Sequence, residues 1–173
     1  MLRSGSTLRF PVLAALSLPL VLGACNDDPV SPRFPEDVDF APSLNIDLDQ
    51  MTRLPDGVYY EIVEEGPVDE VPVATGEVLV DYALWLPDGT LLQTTFEGGA
   101  PSLDFVLGQG DVIPGFESGM LGGGGMKVGE VRRIIVPSEL GYGANPPTNS
   151  GIPSQSVLIF DIELLTAAAN EPV

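Results

Sequence analysis

The chain has 173 residues, 44% of them apolar, and a formal net charge of −18. That suffices for one domain with a real core, under a surface that repels nucleic-acid phosphates, so no nucleic-acid partner is expected. The lack of any histidine excludes Ser-His-Asp, Cys-His and histidine-zinc chemistry, and one cysteine permits neither an internal disulfide nor a cysteine-zinc cluster.

Residues 1–24 read as an export signal. Arg3 and Arg9 give a positive start, and Phe10 to Leu22 form an apolar run of 13 residues, short for a membrane span. The run ends in Leu22-Gly23-Ala24-Cys25, which resembles the bacterial lipobox. That resemblance implies acylation of Cys25 and a cell-envelope location, lipid-anchored in the outer membrane or a periplasm-facing membrane. Residues 25–50 carry Asp27, Asp28, Pro29, Pro32, Pro35, Glu36, Asp37 and Pro42. Proline and like charges favour an extended tether there, with a structured extension around Phe40 to Leu48 as the alternative.

The texture changes at Met51. Val58, Tyr60 and Ile62 alternate with Tyr59, Glu61 and Val63, as in a strand. Glu77 to Leu86 predicts a second strand with Val78, Val80, Tyr82 and Leu84 on one face. Pro87-Asp88-Gly89 supplies a turn, and Thr90 to Phe96 should return antiparallel. Ser102 to Leu107 predicts another strand. Asp111 to Leu121 predicts one short helix, with Ile113, Phe116 and Met120 at helical spacing and Gly122 to Gly125 ending it. Glu130 to Val136 and Val157 to Leu165 predict the remaining strands, separated by a brief helical turn over Ser138 to Tyr142 and a Pro/Gly-rich loop over Asn145 to Ser154. The sum is α+β, an antiparallel sheet with one helix packed on it.

Three stretches carry a family resemblance: VDYALWLPDGTLL (80–92), FVLGQGDVIPGFESGM (105–120), and VGEVRRIIVPSELGYG (128–143) followed by SGIP and LIFDIELL. Residues 51–166 resemble the FKBP-type peptidyl-prolyl cis-trans isomerases, with 167–173 left as a tail. The resemblance implies a twisted five- or six-stranded antiparallel sheet wrapped around one short helix. It also implies a prolyl pocket between the two.

Residue by residue, it implies pocket roles for Tyr82, Phe105, Val112, Ile113, Phe116, Tyr142, Ile152 and Phe160. Tyr82 lines a wall, the Ile113 backbone hydrogen-bonds a ligand, and Phe116 stands for the family's usual floor tryptophan. The Tyr142 hydroxyl and the Ile152 N–H hold the substrate carbonyl. Leu92, Gln93 and Leu103 are implied substrate contacts. Leu92-Gln93 departs from the family's usual Phe-Asp, which bears on catalytic rate more than on fold. The implied partners are proline-containing polypeptides, with a macrolide as a further ligand. No metal or other cofactor is implied. The expected function is isomerisation of X-Pro bonds in exported proteins. The alternative is a binding module or chaperone of the same fold with weak or no turnover.

Overall fold

The computed structural model describes residues 31–67 and 76–168. The expected signal over 1–24, the acylation site Cys25 and most of the expected tail lie outside the described residues.

Among the described residues, seven strands form one antiparallel sheet: β1 (Thr52–Arg53), β2 (Tyr59–Glu64), β3 (Glu77–Trp85), β4 (Leu91–Thr94), β5 (Leu103–Val106), β6 (Val131–Val136) and β7 (Leu158–Ala167). The order is β1-β2-β6-β7-β3-β4, and β5 also pairs with β3. Five or six strands were expected. The seventh is β1, two residues that pair with Tyr60 and Tyr59 of β2; β4 and β5 share one edge of β3, at Ala83 to Trp85 and at Glu77 to Val80 respectively. β4 is shorter than the sequence predicts. Regular pairing ends at Thr94: the Thr95 N–H still donates to the Tyr82 carbonyl at 2.9 Å, but its hydroxyl accepts the Tyr82 N–H at 2.8 Å and donates to Asp81 Oδ1 at 2.8 Å.

Alternation in β3 and β7 sends Val78, Val80, Leu84, Leu158, Phe160, Ile162 and Leu164 into one buried cluster on the concave face. Registers Leu84↔Phe160 and Phe160↔Ile134 align inward side chains in a row across three strands.

The helix α1 (Pro114–Leu121) lies on this face. Its start is three residues later than the pattern of apolar residues predicts. Proline disfavours a helical residue before it, and Ile113 is extended at φ −62°, ψ 146°. Gly122, at ψ 149°, stops the helix as expected. Gly115 and Gly119 let α1 sit directly on β6. A Cβ at either would collide with Val136 or Ile134.

A buried cation fixes the far end of α1. Arg132 Nη1 donates to the carbonyls of Gly119 and Gly122, both at 2.9 Å, and Nη2 to Gly125 at 3.2 Å. Its Nε donates to Glu130 Oε1 at 2.6 Å, and the guanidinium lies 4.8 Å from the Tyr60 ring. One arginine thus satisfies carbonyls that a helix C-terminus leaves open, and it anchors the glycine run.

On the convex face, the described part of the expected tether, residues 31–50, is not extended and instead follows the alternative of a structured extension. From Arg33 the chain packs on the sheet through single 3₁₀ turns at Pro35–Asp37, Pro42–Leu44 and Leu48–Gln50. Leu44 and Met51 are buried with Tyr59, Ile135, Val157 and Ile159, and Val38, Phe40, Ile46, Leu48 and Trp85 pack around them. The apolar residues interleaved with the charges bury enough surface to offset the ordering of the strap. Arg133 reinforces it, donating to the Leu44 carbonyl at 2.7 Å while paired with Asp161 at 2.6 Å.

Candidate active site

Between α1 and the concave face lies a cavity of about 400 Å³. It is lined by Tyr82, Leu84, Gln93, Leu103, Gly110, Asp111, Val112, Ile113, Phe116, Tyr142 and Phe160.

Phe116 is the floor. It sits in the first turn of α1, 3% exposed. Its ring meets Phe160 at 5.2 Å, Phe105 at 5.9 Å and Tyr82 at 6.1 Å, all edge-to-face. Such pairs add about 0.5–1.5 kcal/mol each beyond burial, so the floor is a rigid aromatic surface. Four elements supply its four rings: β3, β5, α1 and β7.

The polar groups at this site are few. Burial pushes the Tyr82 phenol above its ordinary value. The neighbouring Tyr142 adds to the rise, and a hydrogen bond with the Gln93 side chain opposes it. Tyr82 therefore stays neutral at physiological pH. Asp111 is occupied structurally, since its Oδ2 accepts the Val106 N–H at 3.2 Å. Glu117 Oε1 likewise accepts the Gly108 N–H at 3.0 Å. Both carboxylates brace the loop that delivers Val112 and Ile113. The Ile113 carbonyl accepts the Phe116 N–H at 3.0 Å, and its own N–H has no partner among the described residues. Tyr142 stands at the mouth, 36% exposed. Among the described residues, no three acidic or Cys side chains come together to hold a metal ion.

Of the residues given pocket or substrate roles by the resemblance, Tyr82, Gln93, Leu103, Val112, Ile113, Phe116, Tyr142 and Phe160 line this one cavity. Three implied residues lie outside the cavity wall. Phe105 stands behind Phe116 as a core residue, 5% exposed. Leu92 is half-buried at the edge of the core, next to Gly151. Ile152 packs against the same core, and its N–H already donates to Ser150 Oγ at 3.2 Å. The donor expected at Ile152 is therefore engaged, whereas the Ile113 N–H is a donor without a partner among the described residues.

Sequence reasoning missed Leu84, Gly110 and Asp111. A signal was present for each: Leu84 follows Tyr82 by two on one strand face, and Gly110-Asp111 directly precede Val112.

The sequence profile described as FKBP-type peptidyl-prolyl cis-trans isomerase matches residues 69–165. Peptidyl-prolyl cis-trans isomerase FKBP15-1 of Arabidopsis thaliana is 46% identical over 98 residues, covering 56% of this chain and 59% of that protein. The chain thus spans less than two thirds of that relative's length. An FK506-binding protein of Neisseria meningitidis serogroup B is 39% identical over 109 residues, 63% of this chain and 94% of that protein. The crystal structure of AtFKBP13 superposes with a TM-score of 0.61 at 30% identity, over 69% of this chain and 99% of that one.

Proposed function

Because this chain belongs to the FKBP-type peptidyl-prolyl cis-trans isomerase family, we propose that it catalyses rotation about X-Pro bonds in exported polypeptides. The supporting observation is an aromatic-floored cavity whose bordering carboxylates are tied to backbone and whose phenol stays neutral.

The reaction needs no proton donor and no nucleophile. The barrier, about 20 kcal/mol, is the amide resonance lost on twisting. The twisted amide has less charge separation than the planar one. An apolar surface such as the Phe116, Tyr82 and Phe160 floor therefore binds it better relative to the planar form, and such differential binding is catalysis. In this reading Phe116, Tyr82 and Phe160 receive the prolyl ring. The Ile113 N–H and the Tyr142 hydroxyl hold flanking carbonyls. A macrolide presenting a similar ring and carbonyl would compete for the same space.

A second reading is a prolyl-binding module with little turnover, and Leu92-Gln93 favours it. Leu92 adds no ring to the cavity, and Gln93 brings a neutral amide to Tyr82. Turnover of an X-Pro peptide by the purified protein decides between them. We expect a rate well above the uncatalysed tens to hundreds of seconds, raised further by Leu92→Phe with Gln93→Asp. A background rate with measurable peptide affinity selects the module.

The place of action is the cell envelope, through acylation at Cys25. Six peptide bonds separate Cys25 from Ser31, about 20 Å at full extension. With the next residues bound to the sheet, an acylated Cys25 would hold the domain near the bilayer. Mass spectrometry of the mature N-terminus tests this, and an unmodified cysteine removes it.

A further inference from the structure

The strap over residues 31–51 meets the loop that carries Tyr142 at Ser138. Ser138 is fully buried at the foot of that loop. On the strap side, its N–H donates to the Arg33 carbonyl at 3.0 Å, and its hydroxyl accepts the Arg33 N–H at 2.8 Å. On the loop side, its carbonyl accepts the N–H of Gly141 at 3.1 Å and of Gly143 at 2.9 Å, the residues flanking Tyr142. The loop is closed further on by the Gln155 N–H, which donates to the Gly143 carbonyl at 2.8 Å.

The strap is tied down elsewhere by independent contacts. The Ala41 N–H donates to the Pro87 carbonyl at 2.8 Å, at the tip of the β3–β4 hairpin. Glu36 accepts from the Tyr59 hydroxyl at 2.7 Å and from Arg53 at 3.1 Å. Leu44 is buried in the convex core. The aromatic floor on α1 touches none of these groups.

We infer that the strap positions the mouth of the pocket: residues 31–51, docked on the back of the sheet, hold Tyr142 in place through the Arg33–Ser138 pair. The inference rests on the prolyl-pocket reading and deepens it. Arg33 and Ser138 are positioning residues and touch no substrate. Their effect is confined to the mouth, so it falls on substrate affinity and leaves the rotation step on the floor alone.

The test uses the full chain with an X-Pro peptide, measuring peptide affinity together with KM and kcat. Ser138→Ala removes the acceptor for Arg33 and keeps the carbonyl that holds Gly141 and Gly143. Affinity and KM should weaken about three- to tenfold, the range for one lost hydrogen bond, with kcat nearly unchanged. Adding Tyr142→Phe should then cost less than it does in the parent, because the tyrosine is already misplaced. An unchanged affinity in Ser138→Ala, or two effects that add in full, overturns the inference.

Leu44→Ser attacks the strap from its other end. Trp85, the sole tryptophan, packs in the convex core with its indole N–H buried and without a partner among the described residues. Its emission should shift to the red as the strap lifts, and peptide affinity should fall by a similar factor. Lifting without a loss of affinity also overturns the inference. If Leu44→Ser does not fold, Ser138→Ala decides alone. If the parent turns over at the background rate, the isomerase reading fails, and peptide affinity still decides the role of the strap.

Discussion

On the concave face of the sheet the covering element is a two-turn helix clamped by a buried arginine. On the convex face it is a strap of single 3₁₀ turns tied by backbone pairs and one half-exposed glutamate. The concave cluster takes in side chains from β3, β5, β6, β7 and α1. The convex one is smaller, and its strap contributes only Leu44 and Met51 as buried members. The concave core fixes the reaction surface, whereas the strap can be perturbed with the floor intact. A sheet buried on both sides can therefore separate the rigidity its floor requires from adjustment at its mouth.

The largest expected effect is on the concave side. Arg132→Met should destabilise the domain by about 3–5 kcal/mol, because Glu130 is left charged and buried without its partner. Thermal unfolding should shift down by roughly 10 °C or more. Combining it with Glu130→Leu should recover part of the loss, since removing both charges is far milder than removing one. A shift of only a degree or two for Arg132→Met would show that the C-terminus of α1 holds without its cap.

These two faces were unequally legible in the sequence. The alternation of Val78, Val80, Tyr82 and Leu84 announces the concave face, as does that of Leu158, Phe160, Ile162 and Leu164. The glycine run and Pro114 bracket the helix. The convex face was also signalled, because Val157, Ile159, Ile135 and Tyr59 leave the outward positions apolar, as a sheet covered on both sides requires. What hid the cover was composition: prolines and acids in residues 25–50 resemble a tether, and the pairing of Arg33 with Ser138, 105 positions away, has no local signature. Arg132 escaped for a related reason. An arginine in a strand reads as solvent-facing until Ile134 and Val136 show that its parity points inward. At the candidate cavity, Leu92, Phe105 and Ile152 fall outside the wall for different reasons: Phe105 packs behind Phe116, Leu92 lies at the edge of the core, and the Ile152 N–H is taken by the Ser150 hydroxyl, a loop contact with no local signature.

A moderate effect is expected on the convex side. Leu44→Ala should lower stability by about 2 kcal/mol, the low end for such a truncation, because the strap can settle into the space. Equilibrium denaturation checks this. A loss matching that of Arg132→Met would erase the contrast between the faces and make the strap as integral as the helix.

The smallest effect is a pH dependence confined to the strap. Burial alone would raise the Glu36 carboxyl, but hydrogen bonds from Tyr59, backbone and Arg53, with the Arg53 charge, outweigh it and hold it below its ordinary value. A carboxyl depressed on folding stabilises fully above its unfolded value, and that contribution disappears as pH falls through the folded value. Amide exchange over residues 34–40 should therefore quicken on acidification below about pH 4.5, while exchange in α1 stays slow. The charged and titratable groups facing Glu36 are Arg53 and Tyr59, and both keep their protons in that window. Protonating Glu36 alone thus accounts for the change, and Glu36→Gln should make it insensitive to pH over the same range. Strap and helix loosening together on acidification would mean that one transition governs both faces, and the separation between floor and mouth would fail with it.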